Sequence, residues 1–321
     1  MTAASFTPAG PFSLAAAIRF LEAFTPASYD GSPDGVLRMA FPSDDGEAVI
    51  GCAVRQEEAA DGAEAAAGGA PATVHAEYSL HVDGRAVRPV DGAPAAEAAR
   101  AQIARILSLD VDATGFPGLG DADPVVAGLQ AEYPGLRPVL FYSPYEAAAW
   151  TIIGNRIRMD QAARIKARLA EEHGQAVEVA GRRLHAFPAP SALRRLDRFA
   201  GLTDIKTERL RTLADAALDG RLIATQLRSL PAEFALTDLK ELPGIGPFSA
   251  ELVLIRGAGH PDVFPAHEPR LHQAMATAYG LDAAAADTAR LTAVAAAWRP
   301  YRSWIGLLLR AHAQERAAAR P

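Results

Sequence analysis

The sequence of 321 residues is half hydrophobic, 22% charged and −6 in net charge, which excludes a disordered chain and leaves room for two packed domains. It lacks an apolar run near the ~18 residues of a membrane span and a secretory signal, so we expect a cytoplasmic protein. The single cysteine, Cys52, excludes an intrachain disulfide or a four-cysteine cluster. Residues 1–100 carry 14 acidic against 6 basic groups, whereas residues 154–212 carry 13 basic against 7 acidic, which is compatible with either a local phosphate-binding face or solvated helix surfaces.

The first part of the chain alternates between helical and strand-like patterns. A small antiparallel sheet with flanking helices accounts for this order of elements. A Gly/Ala-rich stretch, residues 57–72, interrupts the pattern and predicts a surface loop. The predicted elements are helices over 12–24 and 94–107 and strands over 36–41, 48–56 and 73–82.

From about Asp123 onward the pattern is one helix after another, separated by proline and glycine, and no strand is predicted there. Ser143 and Pro144 suit the N-cap and first position of a helix. An alanine-rich helix is expected over 281–297, and a last helix runs from Trp298 or Pro300 to the C-terminus.

Residues 239–255 read LKELPGIGPFSAELVLI, in which one helix ends and another begins across a Pro-Gly-Ile-Gly turn. Gly244 and Gly246 permit positive φ and close backbone approach, and Pro247 suits the first turn of the second helix. The turn amides and the helix N-terminus then form a sequence-independent cradle for a phosphate. An ordinary connection between two helices is the alternative.

With DVFPAHEPRL downstream, this segment resembles the helix–hairpin–helix (HhH-GPD) DNA glycosylases, and most closely the AlkA-like 3-methyladenine glycosylase II group. FSLAAAIRFLEAF, YSPYEAAAWTIIGNRI and WRPYRSWIGLLL are similar to further family motifs, in the family's order. The resemblance implies an α+β fold: a small antiparallel α/β (TBP-like) domain, residues 1–112, followed by an all-α glycosylase domain, residues 113–321. It also implies double-stranded DNA with a damaged base as the partner, a nucleoid location and no cofactor, and we expect a monomer.

The family reaction hydrolyses the N-glycosidic bond of a flipped, alkylated base, with an aspartate that stabilises the oxocarbenium-like sugar. The matching residue is Glu268, whose extra methylene moves the carboxylate by up to ~1.5 Å, and ~1 Å of misplacement can cost roughly 100-fold. A catalytically impaired lesion-binding protein and a glycosylase for oxidised purines are therefore alternatives. An unrelated enzyme that uses the hairpin for protein contacts is a third. For Glu268 itself, a residue that only caps or solvates a helix start is the alternative. Phe248 stands where bifunctional relatives carry a Schiff-base lysine, which argues against lyase chemistry.

The resemblance also assigns contacts with DNA. Gly244, Ile245, Gly246 and Lys206 match residues at the DNA backbone, and Asn155-Arg156 match the turn whose second residue fills the gap left by the flipped base. For Lys206 and Arg156 a solvated helix end is the alternative.

Base-pocket positions diverge from the family pattern. Phe248 keeps an aromatic, whereas Leu252 and Arg310 replace a tyrosine and a stacking tryptophan. Core packing is the alternative for the remaining candidates, which are Trp150, Tyr142, Tyr145, Tyr301 and Trp304. The histidines near Glu268 fit no strong zinc spacing, so no metal is expected.

Overall fold

The computed structural model describes residues 1–27, 29, 31–57, 72–87, 93–282 and 287–318. The predicted loop over 57–72 lies almost entirely outside these residues, as do positions 283–286 of the predicted alanine-rich helix. Within the described ranges, no helix is both long enough and apolar enough to cross a membrane.

A five-stranded antiparallel sheet forms near the N-terminus, in the order β1-β4-β3-β2, with β5 paired to β4. Cys52 faces Met39 on one side and Tyr78 on the other, which fixes the register of the central strands. The three predicted strands are confirmed to within one or two residues, and two strands were missed. The strands are β1 (Thr2–Phe6), β2 (Leu37–Pro42), β3 (Val49–Gln56), β4 (Val74–Val82) and β5 (Arg85–Val87).

Helices α1 (Leu14–Ala23) and α2 (Pro94–Ile106) cover one face of this sheet. Ile18 and Ile103 belong to the same buried cluster as Phe41. The Ser13 hydroxyl accepts a hydrogen bond from Ala16 N and so caps α1.

The opposite face of the sheet is covered by a hairpin from the second half of the chain, β6 (Ala176–Val179) and β7 (Arg182–His185). The prediction that this half is all helical is wrong at this point. The strands are only four residues long, and their turn is Ala180-Gly181, both at positive φ (45° and 76°). Ala-Gly lacks the usual Asn-Gly or Asp-Gly signature of such turns, which explains the miss.

The rest of the second half is helical, and the predicted N-cap at Ser143 is confirmed by its hydrogen bond from Glu146 N. The helices are α3 (Leu119–Ala122), α4 (Pro124–Glu132), α5 (Pro144–Gly154), α6 (Met159–His173), α7 (Pro190–Leu193), α8 (Asp204–Leu218), α9 (Ala224–Ser229), α10 (Ala232–Lys240), α11 (Pro247–Leu252), α12 (Pro269–Ala278), α13 (Thr288–Ala295) and α14 (Arg302–Ala318). The domain boundary after residue 112 stays a prediction.

Helix α5 lies buried at the centre of the helical part. Helix α11 continues as one π-helical turn, Val253–Gly257, which packs directly on α5. A Cβ added to Gly257 would lie 2.7 Å from Pro144 Cα, so the two backbones meet where only glycine fits. This contact sets the hairpin helix against the helix that ends at Asn155.

Candidate functional site

The hairpin between α10 and α11 has the tight geometry that its glycines predict. Gly244 has φ of 93°, and Gly246 is the N-cap of α11. Ile245 N donates to Leu242 O at 3.0 Å and its side chain is buried. The Ile245 amide therefore has a partner inside the turn, and its contact with DNA stays a prediction. Among the described hydrogen bonds, none is donated by the amides of Gly244 or Gly246, which leaves these two available to an anion.

Arg209, on α8, lies beside the hairpin and was missed in the sequence. A Cβ on Gly244 would come within 2.8 Å of Arg209 Cδ and 3.5 Å of its Nη1. The side chain is half-buried and makes no ion pair or hydrogen bond among the described residues. A guanidinium is thus placed next to the open amides, where it would add charge to the same anion site.

Lys206 lies one turn earlier on α8, but it points elsewhere. Its ammonium donates to Ile153 O at 2.8 Å, at the C-terminal end of α5, and burial lowers the pKa of Lys206. The contact of Lys206 with the DNA backbone stays a prediction, and in this structure its ammonium has a partner within the protein. Lys206 binds a terminal helix carbonyl and so holds the turn that follows α5.

Asn155 and Arg156 form that turn, and both are exposed. Arg156 has φ of 57°, in the left-handed region that a non-glycine residue occupies at a cost. The chain thus presents a charged side chain from a strained position at the end of a rigid, buried helix.

The loop before α12 is fixed to α14 by side chains. Asp262 binds Arg302 through both carboxylate oxygens, at 2.6 and 3.1 Å. The Ser303 hydroxyl both receives from Val263 N and donates to Val263 O, at 3.0 and 2.9 Å. These contacts give Asp262 a structural role, because they hold the loop against α14.

The same loop is fixed on its other side to α11 by Glu251, which the sequence reading missed. This carboxylate is buried and accepts from Ala266 N at 3.1 Å, His267 N at 2.9 Å and His267 Nδ1 at 2.7 Å. A glutamate in an apolar helix, three residues after Phe248, was the available signal. Because Glu251 satisfies the two amides just before Glu268, it determines where Glu268 lies.

Glu268 is the N-cap of α12, and its Oε1 accepts from Arg270 N at 3.1 Å. Arg310 Nε, from α14, lies 3.8 Å from the same oxygen. The hydrogen bonds recorded for the described residues involve only Oε1 of Glu268, which leaves Oε2 open. Two predicted site residues, Glu268 and Arg310, are therefore brought together.

Arg310 is half-buried, and that burial lowers its pKa, while Glu268 acts in the opposite sense and Arg270 adds to the lowering. A guanidinium in this position is poorly solvated. A hydrogen-bond acceptor on a bound molecule would therefore stabilise this guanidinium.

Phe248 and Leu252 lie four residues apart on α11, on the face that also carries Glu251. Phe248 is 41% exposed, so an aromatic ring is presented next to the hairpin. Both remain predictions as pocket walls.

The remaining aromatic candidates are buried, or partly buried in the case of Tyr142, which agrees with the core-packing alternative; their role as pocket walls stays a prediction. Trp150 is only 5% exposed and packs inside the cluster around α5. Tyr142 packs on Phe41 of the N-terminal sheet, with ring centroids 4.9 Å apart. Tyr145, Tyr301 and Trp304 are also buried, with the two tyrosine hydroxyls bonded to backbone carbonyls.

The three histidines near Glu268 have separate partners. His267 binds Glu251, His272 lies 3.2 Å from Pro265 O, and His260 receives from Asp262 N. Burial lowers the pKa of His260. Among the described residues, no cluster of three or more such ligands could hold a metal ion.

Two surface cavities, of about 390 and 310 Å³, share Ala200 and Gly201; the larger lies at the start of α8 and the smaller lies against α6. Neither is lined by Glu268, Phe248 or Arg310. They are therefore separate from the arrangement around Glu268.

Known proteins similar to this chain are found both by sequence and by structure. No family model matches the chain. It is 30% identical over 210 residues to a probable bifunctional transcriptional activator/DNA repair enzyme AlkA of Mycobacterium tuberculosis, covering 64% of this chain and 41% of that protein. It is also 30% identical over 162 residues to a DNA-3-methyladenine glycosylase of Bacillus subtilis, covering 49% of this chain and 53% of that protein. The chain thus spans about half the length of these relatives or less.

The fold is similar to that of a solved 3-methyladenine DNA-glycosylase from Archaeoglobus fulgidus. The TM-score is 0.74 at 21% identity, over 98% of this chain and 99% of the other. Because this likeness extends over nearly the whole chain, it includes both the N-terminal sheet and the helices around the hairpin.

Proposed function

We propose that this chain is a member of the helix–hairpin–helix DNA glycosylase superfamily, as its similarities support, and that it hydrolyses the N-glycosidic bond of a damaged base in duplex DNA. Alkylated bases are the substrate class that the names of its relatives favour. The observation that carries the proposal is a carboxylate with one open oxygen, Glu268, in a loop held on both sides by Glu251 and Arg302.

In the proposed reaction the bond between C1′ and the base nitrogen breaks, and its electron pair leaves with the base. The sugar acquires oxocarbenium character, which the negative charge of Glu268 stabilises. Water then adds its oxygen to C1′. One proton of this water passes to Glu268. A neutral base takes up that proton as it departs, whereas a cationic base departs as a neutral molecule and the proton is released to solvent, so the overall change is hydrolysis in both cases.

The DNA would be held by its backbone and distorted locally. The amides of Gly244 and Gly246, with Arg209 beside them, suit a phosphate. Arg156, exposed at the end of α5, suits the space that a flipped nucleotide leaves, where its guanidinium can stack and donate hydrogen bonds. The hydrogen bond from Lys206 to Ile153 O stabilises this turn.

Glutamate in place of aspartate does not remove the charge, and the structure gives the longer side chain a defined position. Its Oε1 is tied to Arg270 N, at the start of its own helix. This hydrogen bond draws the carboxylate back toward α12 and offsets part of the ~1.5 Å of extra reach. The geometry therefore favours a working carboxylate over an impaired one.

The test is base release from duplexes that carry single alkylated, deaminated or oxidised bases. We expect wild type to generate abasic sites, Glu268→Gln to lose at least ~100-fold in single-turnover rate, and Glu268→Asp to keep measurable activity. Glu233→Gln, an exposed carboxylate on α10, is the matched control and should behave as wild type.

Binding to undamaged and damaged duplex is measured in parallel at several salt concentrations. Release that persists in Glu268→Gln would reject Glu268 as the catalyst. No release by wild type, together with tight and salt-sensitive binding, would replace the proposal with a lesion-binding protein. Failure to bind duplex DNA at all would leave only a function unrelated to DNA.

A further inference from the structure

We propose that Arg105, on the helix α2 that packs against the N-terminal sheet, positions the loop that carries Glu268. This role rests on the proposed function, because it assigns a second part of the molecule to the same reaction. Arg105 would act through the protein backbone, as a positioning residue, without touching the DNA.

The Arg105 guanidinium joins the N-terminal part of the chain to the helical part. Its side chain is 4% exposed. Nη1 donates to Gly257 O at 2.6 Å, and Nη2 donates to Tyr142 O at 2.8 Å. Asp44, in the turn between β2 and β3, accepts from Nη2 at 2.9 and 3.1 Å. Because a buried cation without a partner is costly, the Asp44 carboxylate stabilises the guanidinium in this position.

The carbonyl of Gly257 needs a donor from outside its own helix. Gly257 ends the π-helical turn that continues α11, and the last carbonyls of a helix lack donors within it. Arg256 O accepts from Phe141 N at 2.8 Å, and Gly257 O accepts from Arg105. A cation is also favoured at this end by the helix dipole. Arg105 therefore caps the C-terminal end of the helix that begins at the hairpin.

The loop that leads to Glu268 begins at this capped end. A Cβ added to Gly259 would lie 3.5 Å from Arg105 Cγ, so the stem of the arginine also lies against the loop. Farther along, the loop is held by Asp262 and Glu251. Without Arg105 the later contacts would remain and the start of the loop would be released. Glu268 would then be displaced rather than lost, and ~1 Å of misplacement can cost roughly 100-fold in rate.

Gln102, one turn earlier on α2, separates this role from a general contribution to stability. It is buried, donates to Tyr142 O at 3.0 Å and accepts from Asp44 N at 3.0 Å. It thus shares two partners with Arg105, but the hydrogen bonds of the described residues include none from Gln102 to Gly257. Gln102→Met is therefore the matched control.

The experiment compares Arg105→Met and Gln102→Met with wild type, in the full chain. Amide hydrogen exchange of the segment 257–268 measures how firmly the loop is held. The single-turnover rate of base release measures the position of the catalytic carboxylate, and the affinity for duplex DNA is determined in parallel. Arg105→Lys is the conservative variant, which keeps the charge and replaces the planar fork of donors by one nitrogen.

We expect Arg105→Met to raise the exchange rate of this segment and to slow base release, each by at least ~10-fold. Affinity for duplex DNA should stay within about 3-fold of wild type, because the exposed DNA-facing groups are unchanged. Arg105→Lys should lie between wild type and Arg105→Met. Gln102→Met should lower thermal stability, yet keep both loop exchange and the rate of release within about 3-fold of wild type.

An unchanged rate of release, or unchanged loop exchange, in folded Arg105→Met would overturn the inference and leave the proposed function intact. Equal losses in Arg105→Met and Gln102→Met would also overturn it, because the contact with Gly257 would then not be the cause. Thermal unfolding verifies that each variant is folded, and Arg105→Lys provides the test if Arg105→Met is not. Release of no lesion by wild type would overturn the proposed function and, with it, the role of Arg105 in the reaction.

Discussion

Glu251→Gln is the substitution that most directly tests how the loop before α12 is held. Glu251 accepts three hydrogen bonds, two at Oε1, from Ala266 N and His267 Nδ1, and one at Oε2, from His267 N. The amide of glutamine has the same size but only one acceptor oxygen. Its NH2 group must therefore face a protein N–H whichever way the amide is turned.

The expected loss of stability can be assembled from these contacts. Hydrogen bonds to a charged group contribute about 1.5–3 kcal/mol each, against about 1 kcal/mol for neutral ones. The N–H that faces the new NH2 group loses its acceptor in a buried place, at a further cost of about 1–3 kcal/mol. Together we expect the free energy of unfolding to fall by about 3 kcal/mol, a large fraction of the 5–15 kcal/mol typical of a folded domain.

His267→Ala provides the matched control. The His267 ring is about half exposed, and its removal leaves both backbone amides bonded to Glu251. We expect it to lower stability by less than about 1 kcal/mol. Because Glu251 positions Glu268 through the backbone, Glu251→Gln should also slow base release by on the order of 100-fold, whereas His267→Ala should not.

Urea unfolding and single-turnover base release on the same preparations provide the measurement. If the free energy of unfolding of Glu251→Gln is within about 0.5 kcal/mol of the wild-type value, the three contacts do not contribute measurably to stability. If it is destabilised but releases the base at the wild-type rate, the position of Glu268 does not depend on this loop in the way proposed.

Three other substitutions have defined expectations. Gly244→Ala should cost about 1–3 kcal/mol and weaken duplex binding, because φ of 93° is strained for alanine and its Cβ would lie 2.8 Å from Arg209 Cδ; unchanged binding would exclude the hairpin as a DNA contact. Asp262→Asn should lower the free energy of unfolding by about 2–4 kcal/mol, because the partly buried ion pair with Arg302 loses its negative partner. Denaturant unfolding measures this change, and a loss below about 0.5 kcal/mol would contradict the proposed role of Asp262 in holding the loop. Arg156→Gly should raise stability by up to about 1 kcal/mol by relieving φ of 57°, yet weaken binding to lesion-containing duplex; stronger lesion binding would remove Arg156 as the residue that fills the gap.

Much of the fold could be predicted because the patterns were long and periodic. The helices at α1, α2 and α5, and the strands β2 to β4, follow from apolar spacing and caps within the sequence. The strands that were missed, β1, β5 and the hairpin, are short and obtain their stability from the neighbours they pair with or cover. Such elements are stabilised by tertiary contacts that local sequence does not record.

The geometry of the candidate site could be predicted in part, where a residue's backbone role is visible in the sequence. The Pro-Gly-Ile-Gly turn formed as expected, and Glu268 and Arg310 came together as motif matching implied. The roles of Glu251 and Arg209 could not be predicted, because each depends on a segment far away in the chain. The hydrogen bond from Lys206 to Ile153 O could not be predicted either, because spacing alone does not determine the direction of a flexible side chain.

The pairing of a glutamate with an arginine links the two departures from the family pattern. A carboxylate alone stabilises positive charge on the sugar, whatever the leaving base. The Arg310 guanidinium, 3.8 Å from Oε1 of Glu268, offsets part of that negative charge. Because Oε1 also accepts a hydrogen bond from Arg270 N, we expect the open oxygen, Oε2, to be the one that faces a bound nucleotide.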